Sequence, residues 1–228
     1  MANVKPGKNH NQQRKRVLFV SAKLFLEKGY TATTLKEIAR DAQINIGSLT
    51  NLFKAKEDIL ADLVKYVLNG QFEATYDMLK GITDDKILIY AAETTLQLHM
   101  AESGEQVRDL YAAAYSMPKT TEIIQNTITE KLEEIFKEHL PDLSTKDFYM
   151  LEIASGGIMR GFMTIPCNMW FTMEEKVNAF LINTFKIYDV PDKKIKEAIE
   201  FVKQFDFKII ADNLIESLLE QITEKITN

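Results

Sequence analysis

The residues best suited to molecular recognition are clustered between positions 46 and 51, in the sequence IGSLTN. The amide of Asn51 can form paired hydrogen bonds with adenine, and the hydroxyls of Ser48 and Thr50 can bond to bases or phosphates. The side chain of Ile46 can contact a thymine methyl group, while Gly47 lets a helix backbone approach closely. We interpret this uncharged stretch as a surface that contacts the edges of DNA bases.

Cationic residues flank this stretch on both sides. Phosphate contacts position a protein on DNA, whereas base contacts read the sequence, so an uncharged reading surface needs positive charge beside it rather than within it. The candidates for phosphate contact are Arg14, Lys15, Arg16, Lys36, Arg40, Lys54 and Lys56.

A second group of candidate residues lies in the apolar second half of the chain. Methionine adapts its shape to irregular apolar surfaces, and small-molecule sites are mostly apolar with a few placed polar groups. We predict an apolar ligand cavity lined by some of His99, Tyr111, Tyr115, Phe136, Met159, Arg160 and Met163.

The residues of this predicted cavity also have plain structural interpretations. Arg160 is either the counter-ion of an acidic ligand or a cation that pairs with Glu152 or reaches solvent. The methionines are more typical of ordinary core packing, and the tyrosines fit core packing as well as they fit a ligand site. Both interpretations stay open from the sequence.

Catalytic and metal-binding patterns find little support. The three histidines have no metal-ligand spacing with one another or with Cys167, the single cysteine. We find no nucleophile motif and no glycine-rich phosphate loop. The sequence therefore predicts neither an enzyme nor a bound cofactor or metal.

The elements that must position these residues are helices. Hydrophobic residues make up 46% of the 228 residues, with only nine glycines and five prolines, which favours helices over strands. A capping box at Thr34 and Glu37 begins one helix, and Asn45 is a good N-cap for the next. The predicted helices are 14–28, 34–42, 46–53, 54–80, 84–102, 105–116, 119–140, 145–165, 172–188 and 192–225.

Two short helices separated by a break, 34–42 and 46–53, have the dimensions of a helix-turn-helix. In that motif the second helix lies in the major groove of DNA and the first crosses the backbone. The second helix can be short because Leu49, Leu52 and Phe53 would dock on its neighbours. From spacing alone, an ordinary helical hairpin is the alternative.

Positive and negative charges are distributed unevenly along the chain. Residues 1–68 carry 12 Lys and Arg against six Asp and Glu, a net charge of +6. The remaining residues have a net charge of −11, which gives −5 for the whole chain. A basic N-terminal quarter on an acidic body indicates that one end meets a polyanion.

The stretch from about Arg16 to Leu60 resembles the DNA-binding domain of the TetR family of bacterial repressors. The resemblance rests on AKLFLEKGYTATTLKEIARDA, on Gly47, Ser48, Leu49 and Phe53, and on KAKEDIL. The chain departs from the family pattern at Gln43, where glycine is usual, and at Thr50, where tyrosine is usual. These departures affect the turn and the operator preference but leave the core positions intact.

The resemblance implies an all-α fold and DNA contacts at Thr34, Gly47, Ser48 and Lys56. It also implies an N-terminal helix-turn-helix domain followed by a larger helical domain for ligand binding and dimerisation. We expect these domains at residues 1–60 and 61–228. The full set of expected DNA-binding residues is Arg14, Lys15, Thr34, Lys36, Ile46, Gly47, Ser48, Thr50, Asn51, Lys54 and Lys56.

The sequence therefore predicts a ligand-responsive transcriptional regulator, most simply a repressor released from a palindromic operator in double-stranded DNA by a small-molecule inducer. We expect a cytoplasmic homodimer, without a membrane segment, formed through helices 145–165 and 172–188, with 192–225 as the competing candidate. One alternative is a DNA-binding spatial or architectural protein on the same scaffold, without an inducer. Another is a helical interaction protein that has lost DNA binding.

Overall fold

The computed structural model describes the backbone of residues 6–227 and the side chains of residues 10–68, 75–224 and 226. Over this range the chain is all-α, as predicted. None of the described helices is both long and apolar enough to cross a membrane. The helices are α1 (Pro6–Lys28), α2 (Leu35–Asp41), α3 (Ile46–Leu52), α4 (Lys56–Leu79), α5 (Lys86–Glu102), α6 (Glu105–Ala114), α7 (Pro118–Phe136), α8 (Thr145–Thr164), α9 (Met173–Ile187), α10 (Asp192–Val202) and α11 (Phe207–Thr227).

Side-chain caps fix several helix starts. Thr34 and Glu37 form the predicted capping box at the start of α2, and Asn45 accepts a hydrogen bond from the backbone N–H of Ser48 at the start of α3. A second capping box, between Thr172 and Glu175, begins α9. These caps satisfy backbone N–H groups that have no partner within the helix.

The prediction of one helix over 192–225 was wrong, because the chain ends α10 at Val202 and begins α11 at Phe207. Asp206 starts the second helix by accepting a hydrogen bond of 3.1 Å from the backbone N–H of Ile209. The rings of Phe201, Phe205 and Phe207 pack against one another across the break. Aromatic packing and a new N-cap therefore decide a boundary that carries neither glycine nor proline.

Two apolar cores organise the molecule. The head core includes Val17, Phe25, Ile38, Leu49 and Ile59 from α1 to α4, and it also takes in Ala113, Ala114 and Ile124 from the larger domain. The body core surrounds α5, of which 14 of 17 residues are buried. Since α5 packs against α4 and every helix from α6 to α11, it forms the axis of the larger domain.

Candidate DNA-contacting face and buried polar cluster

The turn between α2 and α3 is a Schellman motif. The backbone N–H of Ile44 donates to the carbonyl of Ala39 at 3.0 Å, and that of Gln43 donates to Arg40 at 3.0 Å. Gln43 has φ +58°, in the left-handed region that glycine adopts most easily. The departure from glycine noted in the sequence is therefore accommodated without a change of turn type, at a conformational cost.

The face of α3 predicted to read bases is turned outward. Ile46, Gly47, Thr50 and Asn51 are exposed, with 45% of Ile46 accessible, and Ser48 is half-buried. On the opposite side, Leu49 is completely buried. The amphipathic pattern of one short helix thus anchors it in the head core and presents the uncharged polar residues to solvent.

Gly47 lies beside the cap of α3. A Cβ at this position would meet Asn45 Oδ1 at 3.3 Å, tighter than ordinary van der Waals contact. The same Oδ1 accepts the 2.7 Å hydrogen bond from the N–H of Ser48. Glycine therefore protects the cap while it also leaves the helix backbone accessible.

The flanking cations fall into two groups. Lys15, Lys36 and Lys54 are exposed, and Arg40 is exposed with its Nε donating to Asp41 at 2.6 Å. These four side chains lie on the surface of the head, as phosphate contacts would require. Thr34 is exposed too, but its hydroxyl serves in the capping box of α2.

Arg14 is instead bound within the head. Its guanidinium donates to the carbonyl of Leu52 at 3.0 Å, forms a short ion pair with Asp62, and lies 4.2 Å from the ring centre of Phe53. These contacts stabilise the C-terminal end of α3 against α1 and α4. They give Arg14 a supporting role that sequence reasoning did not identify.

Lys56 is also directed inward. Its Nζ donates to the carbonyls of Tyr30 at 2.6 Å and Thr33 at 2.7 Å, and it lies 4.2 Å from the ring centre of Tyr30. Burial lowers the pKa of the Lys56 ammonium below its usual value. Lys56 therefore ties the start of α4 to the turn that follows α1.

Polar contacts join the head to the body through α6 and α7. Asp109 on α6 accepts hydrogen bonds from the backbone N–H and the hydroxyl of Thr31. At the start of α7, the backbone N–H of Lys119 donates to Glu57, and its ammonium forms a short ion pair with Asp58. Helix α6 therefore holds the turn that follows α1, and the start of α7 holds the start of α4.

An open groove of about 850 Å³ lies between the head and α7. Its lining includes Asn51, Lys54, Lys65 and Lys119, together with acidic residues. None of the residues predicted for the ligand cavity lines it. This groove is therefore a different feature from the predicted cavity.

The structure separates the residues predicted to line one ligand cavity. The imidazole of His99 packs 5.9 Å from the ring of Phe207, and burial lowers its pKa. Arg160 is exposed, and its Nε donates to Ser116 at 3.1 Å rather than to Glu152. The buried stripe of α8 passes through Met159, so the next residue points away from the core. Arg160 and His99 therefore do not share a site with the buried residues of the predicted cavity.

The other predicted residues remain in the interior. Phe136 is completely buried and stacks on Tyr188 with ring centres 4.1 Å apart. Met159 and Met163 are buried, and the hydroxyl of Tyr111 lies 3.6 Å from the sulfur of Met100. The hydroxyl of Tyr115 donates a hydrogen bond to Gln97 Oε1 at 3.2 Å.

That last bond belongs to a buried polar cluster, which we define as Glu93, Gln97, Tyr115, Glu152, Ser155 and Tyr188. Tyr115 donates to Gln97, whose Nε2 donates to Glu93 Oε1 at 2.5 Å. In a parallel chain, Tyr188 lies 2.8 Å from Ser155 Oγ, which donates to Glu152 Oε2 at 3.2 Å. Two chains of side-chain hydrogen bonds therefore each end on a buried carboxyl group, that of Glu93 and that of Glu152.

Burial dominates the acid–base behaviour of this buried polar cluster. Loss of hydration raises the pKa of Glu152 to about 8, although the hydrogen bond from Ser155 acts in the opposite direction. Burial also raises the pKa of Tyr115 well above its usual value, with Glu152 and Glu93 adding to the shift. Glu152 is therefore largely protonated at neutral pH.

Sequence reasoning missed Glu93, Gln97, Glu152, Ser155 and Tyr188 as members of one site. A usable signal was present, because Glu93 is the only charged residue between Lys86 and Glu102. A single acid in a helix that is otherwise apolar or neutral is costly to bury unless it has hydrogen-bond or ionic partners, so it indicates a polar site in the core. Which helices meet at Glu93 could not be read from this pattern.

One exposed apolar surface runs along α8 and onto α9. Gly157 and Gly161 lie on it, and no other atom of the described chain would come within 4 Å of a Cβ at either position. The large exposed side chains of this surface are Met150, Ile153, Ile165 and Ile182.

In the described chain no group of three or more His, Cys, Asp or Glu residues could hold a metal.

Comparison with known proteins agrees with this architecture. The family described as "Bacterial regulatory proteins, tetR family" matches residues 17–63, which include the whole helix-turn-helix. The HTH-type transcriptional regulator YerO of Bacillus subtilis (strain 168) is 25% identical over 194 residues, covering 80% of this chain and 64% of YerO. HbdR of Aromatoleum sp. (strain CIB), also an HTH-type transcriptional regulator, is 33% identical over 72 residues, covering 32% of this chain and 31% of HbdR.

The chain therefore spans less than two thirds of the length of these two relatives. Among solved structures, RolR in complex with its ligand resorcinol superimposes with a TM-score of 0.65 and 15% identity, covering 86% of this chain and 95% of RolR. This likeness shows that the fold continues through the larger domain. Residues 17–63 therefore match the DNA-binding domain of the tetR family of bacterial regulatory proteins, and the chain as a whole shares the fold of RolR.

Proposed function

We propose that this protein is a DNA-binding transcriptional regulator that binds a palindromic operator as a homodimer. The observation that carries the proposal is the outward face of α3, where Ile46, Gly47, Thr50 and Asn51 are exposed beside surface cations. A recognition helix needs this combination of base-reading groups and flanking positive charge. The relatives YerO and HbdR, both HTH-type transcriptional regulators, support the same function.

We further infer that the larger domain binds a small molecule that releases the protein from DNA. RolR, which shares the fold, was solved with resorcinol, and the body of the present chain contains a buried polar cluster within an aromatic core. Coupling of about 1–3 kcal/mol between ligand and DNA is typical of allosteric proteins. The contacts of Asp109 and Lys119 with the head supply a physical connection for such coupling.

The homodimer is proposed to form through the exposed apolar surface of α8 and α9. Gly157 and Gly161 cost helix stability, by about 1 kcal/mol each relative to alanine, and nothing in the described chain packs on them. A helix from a second copy could approach closely at these glycines. Two copies of α8 and α9 would then form a four-helix bundle and set the distance between the two recognition helices.

The test is a titration of the full-length protein with a palindromic duplex obtained by selection from a random library and with a scrambled duplex of equal length. A regulator should prefer the selected palindrome by at least about 10³-fold. Equal affinity for both duplexes would instead support the architectural alternative. Absence of binding to either duplex at low salt would reject DNA binding altogether.

A further inference from the structure

Within the described part of the chain, the carboxyl group of Glu152 forms no ion pair with Lys, Arg or His. An ionised carboxylate offers about four acceptor positions, and Glu152 receives a hydrogen bond from Ser155. Three cations of the neighbouring helices have partners other than Glu152. Arg108 and Lys176 pair with Glu102, and Arg160 donates to Ser116 on the surface.

The local backbone is built around the Glu152 carboxyl group. A Cβ at Gly156 would lie 2.9 Å from Glu152 Oε1, so the side chain folds back along α8 into space that only glycine leaves open. Glu152 is 3% exposed and Ser155 is 3% exposed. The carboxyl group is therefore held in one buried position, between Gly156 and the hydroxyl of Ser155.

A second observation is an unsatisfied hydroxyl on the facing helix. Thr184 is completely buried, and its Oγ1 has no hydrogen-bond partner within the described part of the chain. Tyr188 faces Ser155, and Phe180 faces Phe162 with ring centres 6.1 Å apart, so α8 and α9 run antiparallel at this point. Thr184 lies midway between Phe180 and Tyr188, so helical spacing places its side chain on the face of α9 that packs against α8, about one turn from the Ser155–Tyr188 bond.

We propose that the buried polar cluster recognises a ligand that carries a positive charge on an aromatic or otherwise apolar body, with Glu152 as its counter-ion. The proposal rests on the proposed function, because it names the ligand class of the same regulatory domain. It replaces the anionic ligand that Arg160 would have selected. Thr184 would supply a hydroxyl to the ligand, and Met159 and Met163, next along the buried stripe of α8, would adapt to its apolar body.

Aromatic rings strengthen this assignment. A cation near the face of a tyrosine ring is attracted by the ring quadrupole, more strongly in a desolvated site. Tyr115 and Tyr188 each place a hydroxyl in the buried polar cluster. One face of the Tyr188 ring is stacked on Phe136, so the cation would contact its other face or the ring of Tyr115. Carboxylate charge and tyrosine rings together favour a weakly hydrated organic cation over a small metal ion.

Because Glu152 can be protonated, the affinity of this site for a cation should depend on pH. Binding of a permanent cation favours the ionised carboxylate, so below pH 8 the complex must release the Glu152 proton. Affinity should then rise by about tenfold per pH unit and level off above the pKa of Glu152. The titratable groups around Glu152 are Tyr90 and Glu93 on α5, Tyr111 on α6, Tyr115 at the end of α6, and Tyr188 at the end of α9.

The experiment compares two probes of equal shape, phenyltrimethylammonium and its neutral isostere tert-butylbenzene, by calorimetric titration of the full-length protein from pH 6.5 to 9. We expect the cation to bind at least about tenfold more tightly at pH 8.5, with proton release at pH 7 detected in buffers of different ionisation enthalpy. Glu152→Gln mimics the protonated acid and should fold, but it should lose both the preference for the cation and its pH dependence. Glu138→Gln, an exposed acid on the same domain, is the matched control.

Three results would overturn the proposal. These are equal affinity for the two probes, a preference for the cation that survives unchanged in Glu152→Gln, and no detectable binding of the cation at millimolar concentration. Operator binding, measured separately without any probe, tests the proposed function. Failure of DNA binding would therefore be distinguished from failure of ligand recognition.

Discussion

Asp109 on α6 accepts two hydrogen bonds from Thr31 in the head, one from the backbone N–H at 2.7 Å and one from the hydroxyl at 2.6 Å. Tyr115 directly follows the last residue of α6, and its hydroxyl donates to Gln97 in the buried polar cluster. One rigid helix therefore contacts the DNA-binding head at one point and the proposed ligand site at another. A displacement of α6 by a ligand would be transmitted directly to the turn between α1 and α2.

Asp109→Ala should weaken the connection between head and body. Loss of a hydrogen bond to a charged group at a partly exposed site costs about 1 kcal/mol. We expect the variant to unfold in two separable steps in urea and to lose part of the effect of ligand on DNA affinity. Thr31→Val, which keeps the backbone bond, should have a smaller effect, and a single unchanged transition in Asp109→Ala would contradict this assignment.

Gln43→Gly should stabilise the head. Gln43 lies at φ +58°, where a residue with a Cβ pays about 1 kcal/mol relative to glycine. Part of this gain is offset by the greater freedom of glycine in the unfolded chain. Thermal unfolding of Gln43→Gly and Gln43→Ala should show that only the glycine variant raises the melting temperature.

Lys54 and Lys56 should differ in their roles although they are two residues apart. Lys54 is exposed, so Lys54→Ala should reduce the salt dependence of DNA binding by about 0.9 in the log–log slope, with unchanged stability. Lys56 donates to the carbonyls of Tyr30 and Thr33, so Lys56→Ala should lower the melting temperature of the free protein. An unchanged melting temperature in Lys56→Ala, together with a reduced salt slope, would show that Lys56 acts mainly on phosphates.

Asn51→Ala should change base preference rather than overall affinity for nonspecific DNA. Its exposed amide can form paired hydrogen bonds with adenine, and loss of one such contact costs about 1–3 kcal/mol at the preferred base. Binding to a library of single-base operator variants measures this directly. Uniform weakening across all variants would assign Asn51 to the phosphate contacts instead.

Ile153→Asp should convert the dimer to a monomer. Ile153 is 49% exposed on the apolar surface of α8, and a carboxylate there would be buried without a partner between two copies. Ile209→Asp, at a residue that is 55% exposed on α11, is the matched control. Sedimentation should show a monomer for the first variant and a dimer for the second, and a stable wild-type monomer at micromolar concentration would reject the proposed dimer.

The stability of the protein should depend on pH through Glu152. Burial raises the pKa of Glu152 from 4.5 to about 8, so the folded state holds this proton more tightly than the unfolded state. The contribution of Glu152 therefore favours folding below pH 4.5 and is lost as pH rises toward 8, by about 1.4 kcal/mol per pH unit. Glu152→Gln should become progressively more stable than wild type over this interval, whereas a constant difference between the two would contradict the burial of the acid.

The sequence by itself determined the local elements, because their causes are local. Apolar residues at helical spacing, the capping box of Thr34 and the N-cap of Asn45 identified α2 and α3 and the outward face of Asn51. The turn at Gln43 was also recognisable, since backbone hydrogen bonds between near neighbours define it. The same local logic failed at 203–206, where three phenylalanine rings on either side of the boundary decide the helix end.

Only the tertiary structure decided how distant side chains meet. The rotation of α8 about its axis placed Arg160 outside and Glu152 inside, although both were the isolated charges of one apolar segment. Lys56 and Arg14 were directed inward because carbonyls and rings from other helices lie within reach. The buried polar cluster draws side chains from α5, α6, α8 and α9, which lie up to 95 positions apart between Glu93 and Tyr188. Such a site depends on packing between helices, which no periodicity within a single helix encodes.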